Sequence, residues 1–316
     1  MEPQFHTAPV TLSVLDTGVP EETVDLARRI ESAGYDRIWV TEHHTETQSA
    51  CPSVMAAAVL ASTTRLAVTV GGVLARLHSP YVVAQQIKLL AKLYGDRIQF
   101  GVAGAFPGTH IAEVVGAPLA ETPEVYSERL LQLRDLALAP HGTESGSRTS
   151  TAPAASPGDD ALYGYGQLIV GPVGAEPTSF CVCGTSNGAA TFAGKLGFPF
   201  AFHDFLAPQG KKEDRISVCR QYFDAGGTHL SVAVSGICAE TNDEAERLWE
   251  VRSKTRACEW RRPSFLGTVE EAAAQIAMIA QETTADEIVI QPLSSNFETR
   301  VATLEALHEP LRTQLA

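Results

Sequence analysis

"VPEETVDLARRIESAGYDRIWV", residues 19–40, holds the repeating unit of this chain. Pro20 suits the first position of a helix, where its missing N–H needs no partner, and Glu21 and Glu22 fall in the positively polarised first turn. Val24, Ala27, Ile30 and Ala33 recur every three residues and give one apolar stripe. Gly34 can close the helix in the left-handed conformation, after which "RIWV" at 37–40 reads as a strand. With the apolar segment that ends near Leu15, the stretch predicts strand, helix, strand.

The same grammar continues to the end of the chain. Strands are expected in "RLAVTVGGVL" (65–74), "RIQFGVAG" (97–104), "SFCVCG" (179–184), "FPFAF" (198–202), "HLSVAVSGICAE" (229–240) and "DEIVIQPL" (286–293). Helical patterns lie between them and after the last one, from Phe297 onward. Eight strands of the buried parallel type, each followed by a helix, favour an α/β fold of the (β/α)₈ TIM-barrel kind. A doubly wound open sheet is the competing arrangement, and the absence of Gly-x-Gly-x-x-Gly in the first unit counts against it. Residues 1–316 are expected to form a single barrel domain. Residues 141–160, "HGTESGSRTSTAPAASPGDD", interrupt the rhythm before strand five with little to bury, and read as a flexible loop or lid, or as a plain surface insertion.

The net charge of −13 repels phosphate backbones and anionic lipid, which argues against nucleic-acid and membrane roles. The first residues show no basic region followed by an apolar run, and no stretch is apolar for long enough to span a bilayer, so a cytoplasmic protein is expected. The six cysteines are scattered. Cys181 and Cys183, two apart on a strand, point to one face and read as reduced core thiols; no metal site is expected.

Chemistry concentrates where strands end. "IWVTEHHTET", residues 38–47, runs from an apolar strand into Glu42, His43 and His44, which a parallel barrel carries to its active face. Each histidine could equally be a hydrogen-bonded scaffold residue. Gly71 and Gly72 end the third strand, permitting close approach of a flat ligand or unusual peptide geometry, and His78 follows. Gly184, Thr185, Ser186, Asn187 and Gly188 lead into a helix, where free N–H groups and hydroxyls suit a phosphate, although Ser and Asn also cap ordinary helices.

Together these parts resemble the bacterial luciferase-like flavin monooxygenases. The resemblance is carried by "DLARRIESAGYDRIWVTEHH", "VGGVLARLHSPYVVAQQIKLLAKLYGDRIQFGV", "CGTSNGAATFAGKLGFPFAF", "FLGTVEEAAAQIA" and "DEIVIQPL", and runs from Leu12 to about Leu311 apart from 141–160. It implies a barrel that binds reduced FMN, adds dioxygen and transfers one oxygen atom to a small organic substrate. His43 matches the family's catalytic histidine, with Glu42 beside it to hold its ring or raise its pKa. Gly71 and Gly72 match the pair joined by a non-prolyl cis peptide beneath the flavin ring, and residues 184–188 match the phosphate turn. His44, His78 and Phe106 are the candidates to line the substrate pocket.

The run "GVAGAFPGTH" departs from the family's pattern: Gly104 or Ala105 stands where many relatives carry an arginine, with Arg76 or His110 as possible substitutes. The resemblance further implies FMNH₂ supplied by a separate flavin reductase, and a homodimer. Two other readings stay open at this level. One is a deazaflavin-dependent oxidoreductase that moves a hydride without oxygen. The other is a catalytically weak flavin-binding partner subunit.

Overall fold

In the computed structural model the strands sit where the alternating pattern puts them. The structure describes residues 9–16, 19–44, 48–104, 109–116, 122–138, 170–172, 180–206, 212–255 and 263–316. The segment 141–160 and Phe106 lie outside the described residues. The chain divides into two compact units, Met1–Val73 with Gln99–Gly104 and Ser179–Ala316, and Leu74–Ile98 with Ala105–Thr178.

The first unit carries the sheet. Its strands are β1 (Thr11–Asp16), β2 (Arg37–Val40), β3 (Ala67–Leu74), β4 (Ile98–Ala103), β5 (Phe180–Gly184), β6 (Phe200–His203), β7 (Leu230–Cys238), β8 (Phe265–Gly267) and β9 (Glu287–Pro292). They follow the order β6-β5-β4-β3-β2-β1-β9-β7-β8, and a further β6–β7 pairing closes the ring. The result is a closed eight-stranded parallel (β/α)₈ barrel of β1 to β7 and β9. The register runs Ser13 against Arg37, Arg37 against Ala67, and Ser13 against Val289. Short β8 was not expected from the sequence: it adds to β7 through Gly236 against Phe265 and Cys238 against Gly267.

The helices of this unit are α1 (Pro20–Ala33) and α2 (Pro52–Ser62) and, further along, α6 (Asn187–Lys195), α7 (Lys212–Asp224), α8 (Asn242–Thr255), α9 (Val269–Thr283) and α10 (Phe297–Gln314). Helix α1 begins at Pro20 and ends at Gly34, whose φ of 103° is left-handed, as its sequence predicts. Its buried face is Thr23, Leu26, Ala27 and Ile30 rather than a stripe through Val24 and Ala33. Spacing of three and four residues follows the 3.6-residue turn, whereas a strict repeat of three drifts off the face. Thr268 and Glu271 form a reciprocal capping box at the start of α9.

The second unit contains α3 (Pro80–Tyr94), α4 (Thr109–Val115) and α5 (Pro123–Leu138). Helices α3 and α5 pack together. Val83, Ala84, Ile87 and Leu90 are buried on the former, Leu130, Leu133 and Ala137 on the latter. The Arg76 guanidinium lies 5.1 Å from the centroid of the Tyr126 ring.

Inside the barrel, alternate residues of each strand face inward and form layers. Leu15, Trp39, Cys181, Cys183, Ala201, Ala233 and Val289 make an apolar cluster. One step toward the amino ends of the strands lies a polar belt around Glu287, whose side chain is fully buried. Glu287 accepts hydrogen bonds from Ser13, from Ser231 Oγ at 2.6 Å and from Trp39 Nε1 at 3.0 Å, and faces the Arg37 guanidinium at 3.5 Å. Arg37 and Thr69 both donate to Gln99 Oε1, at 2.9 and 2.8 Å. Burial alone would raise the Glu287 carboxyl, but Arg37 and the bonds from Ser13, Ser231 and Trp39 outweigh it and hold the group below the usual carboxylate value. A buried charge so fully partnered fixes how β1, β2, β7 and β9 meet.

Candidate active site

The apolar β2 strand delivers four polar residues to the carboxyl end of the barrel. Thr41 Oγ1 donates to the Asp16 carbonyl at 3.2 Å and lies 2.9 Å from His43 Nδ1. A hydroxyl has one proton, so with that proton on Asp16 O the threonine accepts from His43. In that arrangement His43 carries its hydrogen on Nδ1 and leaves Nε2 as the basic nitrogen. The loop is pinned by the His43 N–H, which donates to Ser49 O at 2.9 Å.

Burial draws the His43 pKa below the ordinary histidine value; the charge of Glu42 opposes this and His44 reinforces it. The ring is thus held neutral, with one nitrogen free to take a proton. Glu42, buried with its side chain at 0% exposure, hydrogen-bonds His44 Nε2 at 2.8 Å. It influences His43 through charge, while Thr41 holds the His43 ring, a residue the sequence reading passed over. Because a threonine after a strand is unremarkable by itself, only its contact with Nδ1 reveals the part it plays.

At the end of β3, Gly71 and Gly72 are joined by a cis peptide bond. The Trp39 ring occupies the space that a side chain on Gly71 would need. A Cβ on Gly72 would come within 3.0 Å of Ala103 N, 3.1 Å of Ala103 Cβ and 3.2 Å of Cys183 Sγ. Gly71 is therefore restricted to glycine by Trp39 on β2, and a side chain on Gly72 would sit tightly against β4 and β5.

After β5, Ser186 caps α6 by accepting from Ala189 N at 3.3 Å. The N–H groups of Asn187 and Gly188 belong to the first helical turn, where backbone donors have no partner inside the helix. Gly184 lets this turn sit close to the strand: a Cβ there would lie 2.7 Å from Ala189 Cβ. Thr185 is partly exposed and Ser186, Asn187 and Gly188 are exposed, so the positive helix end is open to a ligand.

The structure thus brings Glu42, His43, His44, Gly71, Gly72 and residues 184–188 to the carboxyl ends of strands of one unit. His78 belongs to the second unit, where its carbonyl accepts from Arg129 Nη1 at 3.5 Å. His110 is exposed on α4. Cys183, read from the sequence as a core thiol, lies in the barrel's apolar cluster, and His203, which sequence reasoning did not single out, is buried at the end of β6. Applying to "FPFAFH" the strand-end rule used for β2 would have found His203. A separate cavity of about 450 Å³ opens between α8, α10 and the ends of β7 and β9, and none of these ionisable residues lines it.

Comparison with known proteins agrees with the barrel fold. The sequence profile of the luciferase-like monooxygenases matches residues 4–291, and the chain belongs to that family. The N-acetyl-S-alkylcysteine monooxygenase of Bacillus subtilis (strain 168) is 29% identical over 261 residues, covering 75% of this chain and 70% of that protein. Among solved structures, the oxygenating constituent of 3,6-diketocamphane monooxygenase from Pseudomonas putida, in complex with FMN, superposes with a TM-score of 0.73 at 15% identity, covering 98% of this chain and 99% of that one. An F420-dependent secondary alcohol dehydrogenase gives a TM-score of 0.70 at 14% identity, over 96% and 99%. Among the described residues, no helix is long and apolar enough to cross a membrane.

Proposed function

We propose that this protein is a flavin-dependent monooxygenase that inserts one oxygen atom from dioxygen into a small organic substrate, using FMNH₂ from a separate reductase. The observation that carries the reading is His43: a neutral, partly buried imidazole whose tautomer is set by Thr41, at the carboxyl end of a barrel strand.

The residues present fit a flavin. Gly71 and Gly72 offer a side-chain-free peptide against which a flat ring can rest, backed by Trp39, Ala103 and Cys183. The Asn187 and Gly188 N–H groups and the Thr185 hydroxyl would hold the phosphate, a role the positive end of α6 favours. When bound, the reduced flavin supplies the electrons that activate dioxygen. His43 Nε2 takes or returns a proton beside the ring, while the buried Glu42 anchors His44 at the rim. The apolar wall of Leu15, Trp39 and Val289 keeps water from the reacting atoms.

The likeness to a protein that uses F420 supports a second reading, hydride transfer with a deazaflavin, in which His43 would again handle the proton. One assay separates the two. Purified protein is supplied with FMN, NADH, a flavin reductase and a panel of thioether and ketone substrates, in air and under nitrogen. Oxygenated product only in air supports the monooxygenase. Substrate turnover with F420 under nitrogen, and none with FMN in air, would overturn it.

A further inference from the structure

Between β7 and β9 the chain inserts an extra helix and strand, α8 and β8, ahead of α9. Strand β8 adds to β7, and α8 packs on both. Together with the ends of β7 and β9 and the start of α10, α8 borders the cavity of about 450 Å³. That volume lies within the range of small-molecule sites.

Helix α8 turns one face to this cavity. Glu244, Leu248, Val251 and Arg252 line it at positions i, i+4, i+7 and i+8, the spacing of a single helical face. Leu248 and Val251 are 37% and 53% exposed, so the middle of the wall is open apolar surface. Glu244 and Arg252 stand about 12 Å apart at the helical rise per residue. The two charges are not equivalent. The Glu244 side chain is 43% exposed and lies 3.8 Å from Arg247, whereas the Nε of Arg252 is shut off from solvent. Across the cavity, Thr299 and Thr303 stand one turn apart on α10, beside Ser294. The Thr299 hydroxyl donates to Asn296 Oδ1 at 3.2 Å, and Ser294 Oγ accepts from Asn296 N at 3.1 Å. A carboxylate at Arg252 would gain a charge-assisted hydrogen bond, while Glu244 repels it from the other end. The lining therefore suits a molecule with one anionic head and an apolar body, and sets the direction in which it lies.

The cavity opens on the face that carries His43, because β7 and β9 end there as β2 does. Only β1 separates β9 from β2, which is about 10 Å at the usual spacing of strands. Pro292 lines the cavity and also a narrow recess with Leu15, Asp16 and Gln291. The Asp16 carbonyl accepts from Thr41, which contacts His43. One rim thus runs from Arg252 to the imidazole.

We propose that this cavity receives the non-reacting end of the substrate, and that the substrate is a small organic acid. Its carboxylate meets Arg252, its apolar body lies along Leu248, Val251 and Ile237, and its other end reaches over the rim toward His43. The inference rests on the monooxygenase reading given above and adds the class of molecule that is oxygenated.

The test begins without flavin. Isothermal titration calorimetry on the whole protein compares octanoate with octanamide, which has the same chain without the charge. Octanoate should bind about tenfold more tightly, and Arg252→Gln should erase the preference. Leu248→Trp, which fills the cavity from a partly exposed position, should weaken both ligands. Should Arg252→Gln not fold, Arg252→Lys and Leu248→Trp carry the comparison, the lysine keeping a preference for the acid and the tryptophan losing affinity. FMN should bind equally well with and without octanoate. In air, with FMN, NADH and a flavin reductase, ω-(methylthio)hexanoate should show a lower KM than its methyl ester, and Arg252→Gln should remove that difference. No binding of octanoate by the wild type, or a preference that survives Arg252→Gln, would overturn the site. Competition between octanoate and FMN would place the acid in the flavin seat and overturn it too. Equal KM values for acid and ester in the wild type would overturn the substrate class while leaving the monooxygenase reading intact. Octanoate binding that depends on Arg252, with no oxygenation of any thioether or ketone in air, would instead overturn that reading and the substrate role built on it.

Discussion

The ring of Trp39 fills the space beside Gly71 that any side chain there would need, and its indole N–H is anchored on Glu287 Oε1 at 3.0 Å. Gly71→Ala must therefore push the indole away from that carboxylate. We expect a loss of about 1–3 kcal/mol, the usual cost of overpacking a tight interior, and weakened FMN binding. Thermal melts with and without FMN check it. An unchanged melt would mean that the Trp39 ring gives way freely.

Glu287 supports a prediction about acid stability. Its pKa is depressed in the folded protein, so it contributes stability above the ordinary value of 4.5 and loses it as the pH falls through the lower folded value. Glu287→Ala removes the buried carboxylate on which Ser13, Ser231, Trp39 and partly exposed Arg37 converge and should cost about 3–5 kcal/mol, the range for breaking a buried pair from one side. Urea titrations at pH 7 and at pH 3 should show the difference between wild type and variant shrinking in acid.

His43 should govern turnover and not binding. His43→Ala is expected to lower kcat by about 10²–10⁴-fold, the scale of positioned proton transfer, with FMN affinity near that of the wild type. Its folded pKa lies below 6.5, so the acidic limb of the wild-type rate profile should fall off at a midpoint under 6.5. Steady-state rates across pH 5 to 8 decide this.

Thr41→Val removes the acceptor for His43 Nδ1–H while nearly keeping the side chain's shape. We expect kcat to drop about tenfold with a change in stability of roughly 1 kcal/mol, because one hydrogen bond is lost and the ring is freed to turn. A variant with full activity would show that the imidazole is oriented by something else.

Ser186→Ala tests the phosphate turn. Loss of the cap should cost about 1 kcal/mol. If the start of α6 receives the phosphate, FMN binding should weaken while riboflavin, lacking that group, binds as before. Parallel titrations with the two flavins give the answer.

Much of this was legible in the residues alone. Pro20, Gly34 and the β-branched strand "RIWV" define a βα unit through local chemistry, and eight such units leave few ways to fold. Strand ends could be located to within a residue or two, so His43, Gly71 and Ser186 were found as candidates. Pairings across the barrel were not legible. Which side chain holds the His43 ring depends on where Asp16 presents its carbonyl, and the inward placing of His203 depends on the β5–β6 register. Three-residue β8 was missed because "FLG" is too short to show a period. The stripe on α1 was misjudged at both ends, and at the first because apolar identity does not reveal that Thr23 is buried and hydrogen-bonded to Asp16 at 2.5 Å.

The tie between the last helix and the first strands bears on how the protein is made. Arg312, near the end of α10, donates to the Val10 carbonyl at 3.2 Å and to Asp36 Oδ2 at 2.5 Å, and the same carboxylate oxygen accepts from Leu12 N at 2.8 Å. Strand β1 lies between β2, which leaves the ribosome soon after it, and β9, which leaves long after both. During synthesis the first strand must wait, with one edge unpaired, until β9 has emerged. A nascent chain halted before Glu287 should therefore remain a target for chaperones, because the ring cannot close without β9.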